Sequence, residues 1–243
     1  MTTIVSLKQP RAEPGAIPPL RDGERLSQPE FHRRYLATPE GVKAELVEGT
    51  VYMAPSVGSR HGRFHIRLAT LFGIYESATP GVEAADNTTV ILGPESEPQP
   101  DLHLRLATAK GQSREQEGFI TGPPELAAEV SDSTRALDLN AKRREYDRAG
   151  ILEYLVLMVN EGSLRAFGPG ATELPVDADG VYRSRVLPGL WIDAAAIVAG
   201  DLRRAIRVLN KGLKSPEHAA FVRRLKASAK AGAAPKPRAK RRR

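Results

Sequence analysis

Two segments in the first third of the chain carry apolar residues at helical spacing. The first follows Ser27 and Glu30, which match a helix capping box, and contains Phe31, Tyr35 and Leu36. The second spans His61–Tyr75 and directs four apolar residues toward a core: Ile66, Leu68, Leu71 and Phe72. Both segments are therefore predicted to form amphipathic helices.

Short apolar runs bounded by Pro and Gly predict strands along most of the remaining body. Ala44–Val47 and Val51–Ala54 flank Glu48-Gly49, as the strands of a β-hairpin would. The other predicted strands are Thr88–Leu92, Asp101–Leu106, Leu126–Val130, Glu153–Val159, Leu164–Phe167 and Tyr182–Val186. Glu153–Val159 is apolar along most of its length, so it is expected to be buried on both faces. Further helices are predicted over Asp138–Ala149, closed by Gly150, and from Asp193.

Composition and charge divide the chain into three parts. Residues 1–26 contain four prolines and are predicted to be an extended or disordered arm, and residues 27–201 are predicted to form the main domain. Residues 202–243 are predicted to be a basic tail, helical at Leu202–Leu213 and Pro216–Ala229 and disordered from Ala231 onward. From Arg203 onward the chain has 15 Lys and Arg residues and one acidic residue, a net charge of +14. Residues 1–202 have 21 basic and 28 acidic residues, a net charge of −7.

This uneven distribution of charge favours a polyanionic partner for the tail. Each Lys or Arg that meets a phosphate releases counterions condensed on a nucleic acid, which strengthens binding. The alternative is a tail that only keeps the protein in solution, since blocks of like charge are often merely solvated.

The absence of cysteine restricts the chemistry that the chain can perform. Without cysteine there is neither a disulfide nor a thiolate metal site. A metal would be held by carboxylates, carbonyls or His, which are the ligands of a hard cation such as Mg²⁺ or Mn²⁺. Residues 1–11 contain no basic stretch followed by an apolar run, and nowhere in the sequence is there an apolar run of about 18 residues, so we expect a cytoplasmic protein that does not contact a membrane.

Three charged residues near predicted strand ends indicate a site. Asp101 opens one strand, Glu129 lies near the end of another, and Lys142 follows 13 residues later. If the two strands are neighbours, the carboxylates of Asp101 and Glu129 could hold a cation that activates water, while Lys142 neutralises charge on phosphorus. Each residue also has a structural explanation: a turn aspartate, a solvated edge glutamate, and a helix ion pair between Asp138 and Lys142. The apolar neighbours of Glu129 favour the joint site, because an unpaired carboxylate there would be costly.

The same residues carry a family resemblance. Four segments contribute to it: AELVEG at 44–49, His61 at a helix start, Pro100-Asp101, and 129–154, which begins EVSDST. In this order and spacing they resemble the Uma-type restriction endonuclease family, a branch of the PD-(D/E)XK nuclease superfamily. The likeness covers about residues 28–200.

The resemblance implies a fold and a set of site residues. The fold is α/β of the mixed α+β kind, with a mixed central sheet flanked by helices. Asp101 and Glu129 would be metal ligands, and the backbone carbonyl of Val130 would join them. Lys142 would be the catalytic lysine, and Glu45 would complete or orient the site.

One departure from the usual superfamily motif concerns the lysine. That motif has a lysine two residues after the glutamate, where this chain has Ser131, and the family resemblance moves the lysine to Lys142 on the following helix. His61 is a further candidate for the site, although a helix-start histidine is more often a surface or capping residue. Tyr146 shares a helix face with Lys142, and packing against the sheet is its expected role.

The predicted function is that of a Mg²⁺- or Mn²⁺-dependent endonuclease that hydrolyses DNA phosphodiester bonds. Its sequence-independent affinity for DNA would come from basic residues of the tail: Lys236, Arg238, Lys240, Arg241, Arg242 and Arg243. The alternative is a catalytically weak or inactive DNA-binding protein of the same fold. A nuclease directed at RNA is less favoured, because aromatic residues total only 5% and offer no stacking platform. A homodimer remains open.

Overall fold

The computed structural model describes residues 17–132 and 134–232. Its α-helices are α1 (Gln28–Tyr35), α2 (Ser59–Ala78), α3 (Arg143–Ala149), α4 (Ala194–Ala199), α5 (Leu202–Leu213) and α6 (Pro216–Gly232). A π-helix, Leu137–Lys142, leads directly into α3. The strands are β1 (Ala44–Val47), β2 (Thr50–Met53), β3 (Val82–Asp86), β4 (Val90–Ile91), β5 (Leu102–Leu106), β6 (Arg114–Gln116), β7 (Phe119–Thr121), β8 (Leu126–Ser131), β9 (Glu153–Met158), β10 (Ser163–Gly168), β11 (Thr172–Leu174), β12 (Val181–Arg183) and β13 (Trp191–Asp193).

A six-stranded mixed sheet forms the centre of the fold, in the order β11-β10-β9-β8-β5-β3. β8 and β9 run parallel, and the other neighbouring pairs are antiparallel. A parallel pair needs a crossover between its strands, and here the π-helix and α3 provide it. The predicted α/β architecture with a mixed central sheet is confirmed.

The two faces of the sheet carry separate apolar clusters, because side chains alternate along a strand. Leu126, Ala128 and Val130 of β8 pack on the face that α2 covers. Ala127 packs on the opposite face, with Tyr146 of α3. Glu129 has the same parity as Ala127, so its side chain is directed toward the helix that follows β8.

The N-terminal part of the body differs in detail from the predictions. Ser27 is the N-cap residue of α1, but its side chain makes no capping hydrogen bond, and Glu30 pairs with Arg33 and Arg34 instead. The predicted capping box is therefore absent. In α2, Ile66 is 64% exposed because it lies on the outer face, whereas Leu68, Leu71 and Phe72 are buried as predicted.

Several strands were shifted or missed. The strand predicted at Thr88–Leu92 is only β4, and it pairs with β7 in a small three-stranded sheet. The strand predicted at Tyr182–Val186 is β12, which ends at Arg183 and pairs with β13. No strand was predicted at β3, β6, β7, β11 or β13.

Residues on either side of the predicted main domain also pack against it. Leu20 is buried, and Arg25 forms a β-bridge with Thr50, so the described part of the N-terminal arm packs against the β1–β2 hairpin. At the other end, α5 and α6 contribute four residues to the cluster on the α2 face: Ala205, Leu209, Phe221 and Leu225. The packed body therefore continues past Asp201. Residues 1–16 of the arm and 233–243 of the tail lie outside the described ranges.

Within the described ranges, no helix is both long and apolar enough to cross a membrane.

Candidate active site

Asp101 and Glu129 lie side by side at one end of the central sheet. β5 and β8 are antiparallel neighbours with Leu102 opposite Ala128, which brings the preceding Asp101 level with Glu129. The Asp101 amide donates to Glu129 Oε2 at 3.3 Å, and the Val130 amide donates to Asp101 Oδ2 at 2.7 Å. Strand pairing therefore places two carboxylates, 28 residues apart in sequence, in one site.

Lys142 reaches the same two strands from the π-helix. Its Nζ lies 2.9 Å from Glu129 Oε1 and 2.9 Å from Glu45 Oε2. Glu45 is in β1, and its Oε2 also accepts the Gln99 amide at 3.3 Å. The structure thus brings Glu45, Glu129 and Lys142 together, whereas the helix ion pair of Lys142 with Asp138, the structural alternative for this lysine, is not formed within 4.0 Å.

Lys142 is the last residue of a π-helix, in which hydrogen bonds close five residues apart instead of four. Lys142 is 4% exposed and ends between two carboxylates. π-helices occur frequently at functional sites.

Tyr146 combines packing with a polar contact. It is fully buried, and its ring packs edge-on against Tyr154 in the cluster on the α3 face. Its hydroxyl also donates to Glu129 Oε1 at 2.9 Å. Packing against the sheet was the expected role, and the hydrogen bond adds an orienting contact on Glu129.

Burial and charge act against each other in this group. Burial raises the pKa of Glu129 well above its ordinary value, and the Lys142 ammonium opposes this rise. Burial lowers the pKa of Lys142, but the carboxylates of Glu129, Glu45 and Asp138 outweigh that effect and raise it. Lys142 is therefore charged at neutral pH, and it compensates an unusually dense set of acidic groups.

His61 approaches Asp101 from the first turn of α2. Its Nε2 lies 3.5 Å from Asp101 Oδ1. This contact, aided by the nearby Val130 backbone, raises the pKa of His61. Burial favours a higher pKa for Asp101, but the adjacent His61 imidazole brings that pKa below the ordinary value.

His65, one turn after His61 on α2, was not among the predicted site residues. Ligand atoms of His61, His65 and Asp101 all lie within 4.8 Å of one another. Spacing of i, i+4 on a helix was the available signal, because it puts two imidazoles on one helix face. The nearness of Asp101 could not be read from the sequence, since it depends on how α2 lies against β5.

A cleft of about 510 Å³ opens over these groups. The predicted residues that line it are Glu45, His61, Asp101, Glu129 and Lys142. Asp132 and Asp138 also line the cleft, and neither was predicted to belong to the site. Burial raises the pKa of Asp138.

The residues predicted to bind DNA, Lys236, Arg238, Lys240, Arg241, Arg242 and Arg243, lie outside the described ranges. Within the described part of the basic region, Arg203, Arg207 and Lys211 of α5 and Lys214 directly after it are all exposed. Their spacing of three or four residues puts them along one helix face. This face lines a shallow depression on the surface.

Comparison with known proteins shows a matching family and a similar solved structure. The model of the Uma2 family, described as "Putative restriction endonuclease", matches residues 28–195. Among solved structures, the chain is similar to a protein from Anabaena variabilis described as "a putative nuclease belonging to DUF820". The two are 14% identical, with a TM-score of 0.55 over 68% of this chain and 97% of the other, which shows a shared fold. None of the curated proteins compared matches the chain.

Proposed function

Because the chain belongs to the Uma2 family of restriction endonuclease-like proteins, we propose that it is a metal-dependent endonuclease that hydrolyses phosphodiester bonds in DNA. The observation that carries the proposal is the buried Lys142, held 2.9 Å from both Glu129 and Glu45, beside Asp101 in an open cleft. A structural ion pair alone would not require a second carboxylate at the same lysine and a third, Asp101, beside them, because this arrangement concentrates negative charge at the floor of a cleft.

The donors at this end of the sheet fit a hard divalent cation. Asp101 and Glu129 offer carboxylate oxygens to the cleft, and the Val130 carbonyl is the third proposed ligand. The hydrogen bonds that Asp101 and Glu129 accept from backbone amides fix both side chains in place. Mg²⁺ or Mn²⁺ would supply a water of lowered pKa and neutralise charge on the phosphate.

Lys142 is the proposed catalytic lysine. β8 has Ser131 where the superfamily motif has its lysine, on the same face of the strand as Glu129. Lys142 brings an ammonium group to this face from the next helix, with its Nζ 2.9 Å from Glu129 Oε1. There it would orient the attacking water and stabilise charge that develops on the phosphate oxygens. Glu45 and Tyr146 would hold Lys142 and Glu129 in position.

Affinity for DNA is proposed to come from outside the cleft. Residues 1–202 carry a net charge of −7, which does not favour a polyanion, whereas the following 41 residues carry +14. The exposed basic face of α5 would contact the phosphate backbone together with the six basic residues at positions 236–243.

A plasmid-nicking assay tests the proposal. Full-length protein is incubated with supercoiled plasmid and Mg²⁺, Mn²⁺ or chelator, and the comparison includes Asp101→Asn and a matched control, Glu161→Gln. Glu161 is a surface carboxylate that pairs with Arg135 outside the cleft. We expect metal-dependent nicking by the wild type and by Glu161→Gln, and none by Asp101→Asn. Binding of DNA without cleavage in any metal would instead favour the DNA-binding alternative.

A further inference from the structure

Two histidines and an aspartate form a nitrogen-rich cluster at the rim of the cleft. His61 and His65 project from the same face of α2, with ring centroids 5.7 Å apart. Ligand atoms of both rings and of Asp101 lie within 4.8 Å of one another. Small side-chain movements would bring all three within the bond lengths of about 2.0–2.2 Å that zinc and similar ions adopt with N and O ligands.

One ring nitrogen of His65, Nε2, is buried without a hydrogen-bond partner. Among the described residues, none accepts or donates a hydrogen bond at His65 Nε2. The nearest carboxylate oxygen, Asp86 Oδ2, is 3.8 Å away, beyond hydrogen-bonding distance. A buried polar group that is left unsatisfied costs about 1–3 kcal/mol, and coordination of a cation would remove that cost.

The chemistry of the donors selects the class of cation. Mg²⁺ prefers oxygen ligands and keeps much of its hydration, so it gains little from imidazole. Imidazole suits first-row transition ions, with Mn²⁺ weakest and Co²⁺, Ni²⁺ and Zn²⁺ stronger. Two histidines one helical turn apart, with a carboxylate from another element, also leave further coordination positions for water or phosphate.

We propose that His61, His65 and Asp101 bind one first-row transition-metal ion at a site adjacent to the proposed Mg²⁺ site. The inference deepens the proposed function, because Asp101 belongs to both sites. The oxygen donors Glu129 and the Val130 carbonyl belong only to the Mg²⁺ site, and His65 belongs only to the transition-metal site. The chain would thus distinguish metals by the side of Asp101 on which they bind.

Binding of Co²⁺ to the full-length protein tests the inference. Isothermal titration calorimetry and visible absorption are measured with Co²⁺ alone, and again with excess Mg²⁺. The wild type is expected to bind one Co²⁺ with a ligand-field spectrum that excess Mg²⁺ does not abolish. His61→Ala and His65→Ala should each weaken Co²⁺ binding at least about tenfold. Loss of a residue that only hydrogen-bonds to a ligand typically weakens metal binding about 10–100-fold, and loss of the ligand itself costs at least as much.

Two matched variants control for general effects. His32→Asn removes an imidazole that lies against Glu97 outside the cleft, and it should leave Co²⁺ affinity unchanged. Glu129→Gln removes the oxygen-site carboxylate, and it should retain the histidine-dependent Co²⁺ spectrum. Thermal unfolding in chelator checks that each variant is folded. If His65→Ala does not fold, His65→Asn replaces it.

The possible results separate this inference from the proposed function. Unchanged Co²⁺ affinity in the folded His61 and His65 variants would overturn the inference. Loss of the Co²⁺ spectrum in Glu129→Gln would also overturn it, because the ion would then occupy the oxygen site. Histidine-dependent Co²⁺ binding by a chain that cleaves no DNA would uphold the inference and reject the nuclease proposal.

Discussion

Replacing Lys142 by methionine removes the positive charge between two carboxylates while keeping a side chain of similar length. Lys142 and Glu129 are each 4% exposed, and Lys142 Nζ lies 2.9 Å from both Glu129 and Glu45. Removing one partner of a buried ion pair typically costs about 3–5 kcal/mol, because the remaining charge stays buried without compensation. We therefore expect Lys142→Met to lower the free energy of unfolding by about 3–5 kcal/mol at neutral pH.

The loss of stability caused by Lys142→Met should be smaller at acidic pH. Burial already raises the pKa of Glu129, and removing the opposing Lys142 would raise it further. A carboxyl with a raised pKa in the folded state contributes stability that is fully present below its unfolded pKa of about 4.3. That stability is lost as the pH rises through the folded pKa. The variant should therefore approach the wild type in stability as the pH falls toward about 5.

Urea denaturation in chelator, followed by circular dichroism at about pH 7.5 and about pH 5, measures both effects. Lys43→Met is the matched control, because Lys43 is an exposed lysine of the same cleft and its loss should change stability by no more than about 0.5 kcal/mol. The double variant Lys142→Met/Glu129→Gln should recover part of the loss. A Lys142→Met protein within about 1 kcal/mol of the wild type at neutral pH would refute the reasoning.

Three further predictions concern catalysis, acid stability and DNA affinity. Lys142→Ala should reduce single-turnover cleavage at least about tenfold with little change in DNA affinity, as expected of a group that acts in the transition state, and wild-type turnover would contradict its role. Burial, aided by the charge of Arg105, lowers the pKa of His103 to about 4. As the pH falls, the unfolded chain therefore binds a proton at His103 at a higher pH than the folded chain does. The free energy of unfolding should fall by about 3 kcal/mol between about pH 6.5 and 4. Urea denaturation should show a flatter pH dependence for His103→Gln, and an identical slope would argue against this assignment. Removing residues 233–243 deletes six basic residues, so fluorescence anisotropy should show a slope of log affinity against log salt reduced by up to about 5, whereas an unchanged slope would exclude the tail from binding.

Local signals in the sequence were sufficient to predict much of the fold. The hairpin around Glu48-Gly49 formed as predicted because both residues adopt positive φ, which a tight hairpin turn requires. Gly150 ends α3 in the left-handed conformation, which glycine adopts more easily than other residues. β3 was missed because its sequence VEAAD has no clear alternation, and it is an edge strand that pairs only with β5.

The site itself combines local and long-range information. The spacing and setting of Asp101 and Glu129 predicted a carboxylate pair, and strand pairing places them together. Contacts between distant segments could not be predicted from periodicity, since Lys142 and Glu45 lie far apart in sequence and meet only through tertiary packing. Lys142 also lies in a π-helix, which no propensity signal marks. Neither did the sequence reveal that His65 faces Asp101.

Single-turnover cleavage of a DNA duplex as a function of Mg²⁺ concentration tests the central claim most directly. With enzyme in excess, the wild-type rate should be zero in chelator and rise to a plateau as Mg²⁺ saturates the site formed by Asp101 and Glu129. Glu129→Gln should show no Mg²⁺-dependent rise while remaining folded and able to bind the duplex. Cleavage that persists in chelator, or a Glu129→Gln protein with the wild-type Mg²⁺ dependence, would contradict the proposed metal-dependent mechanism.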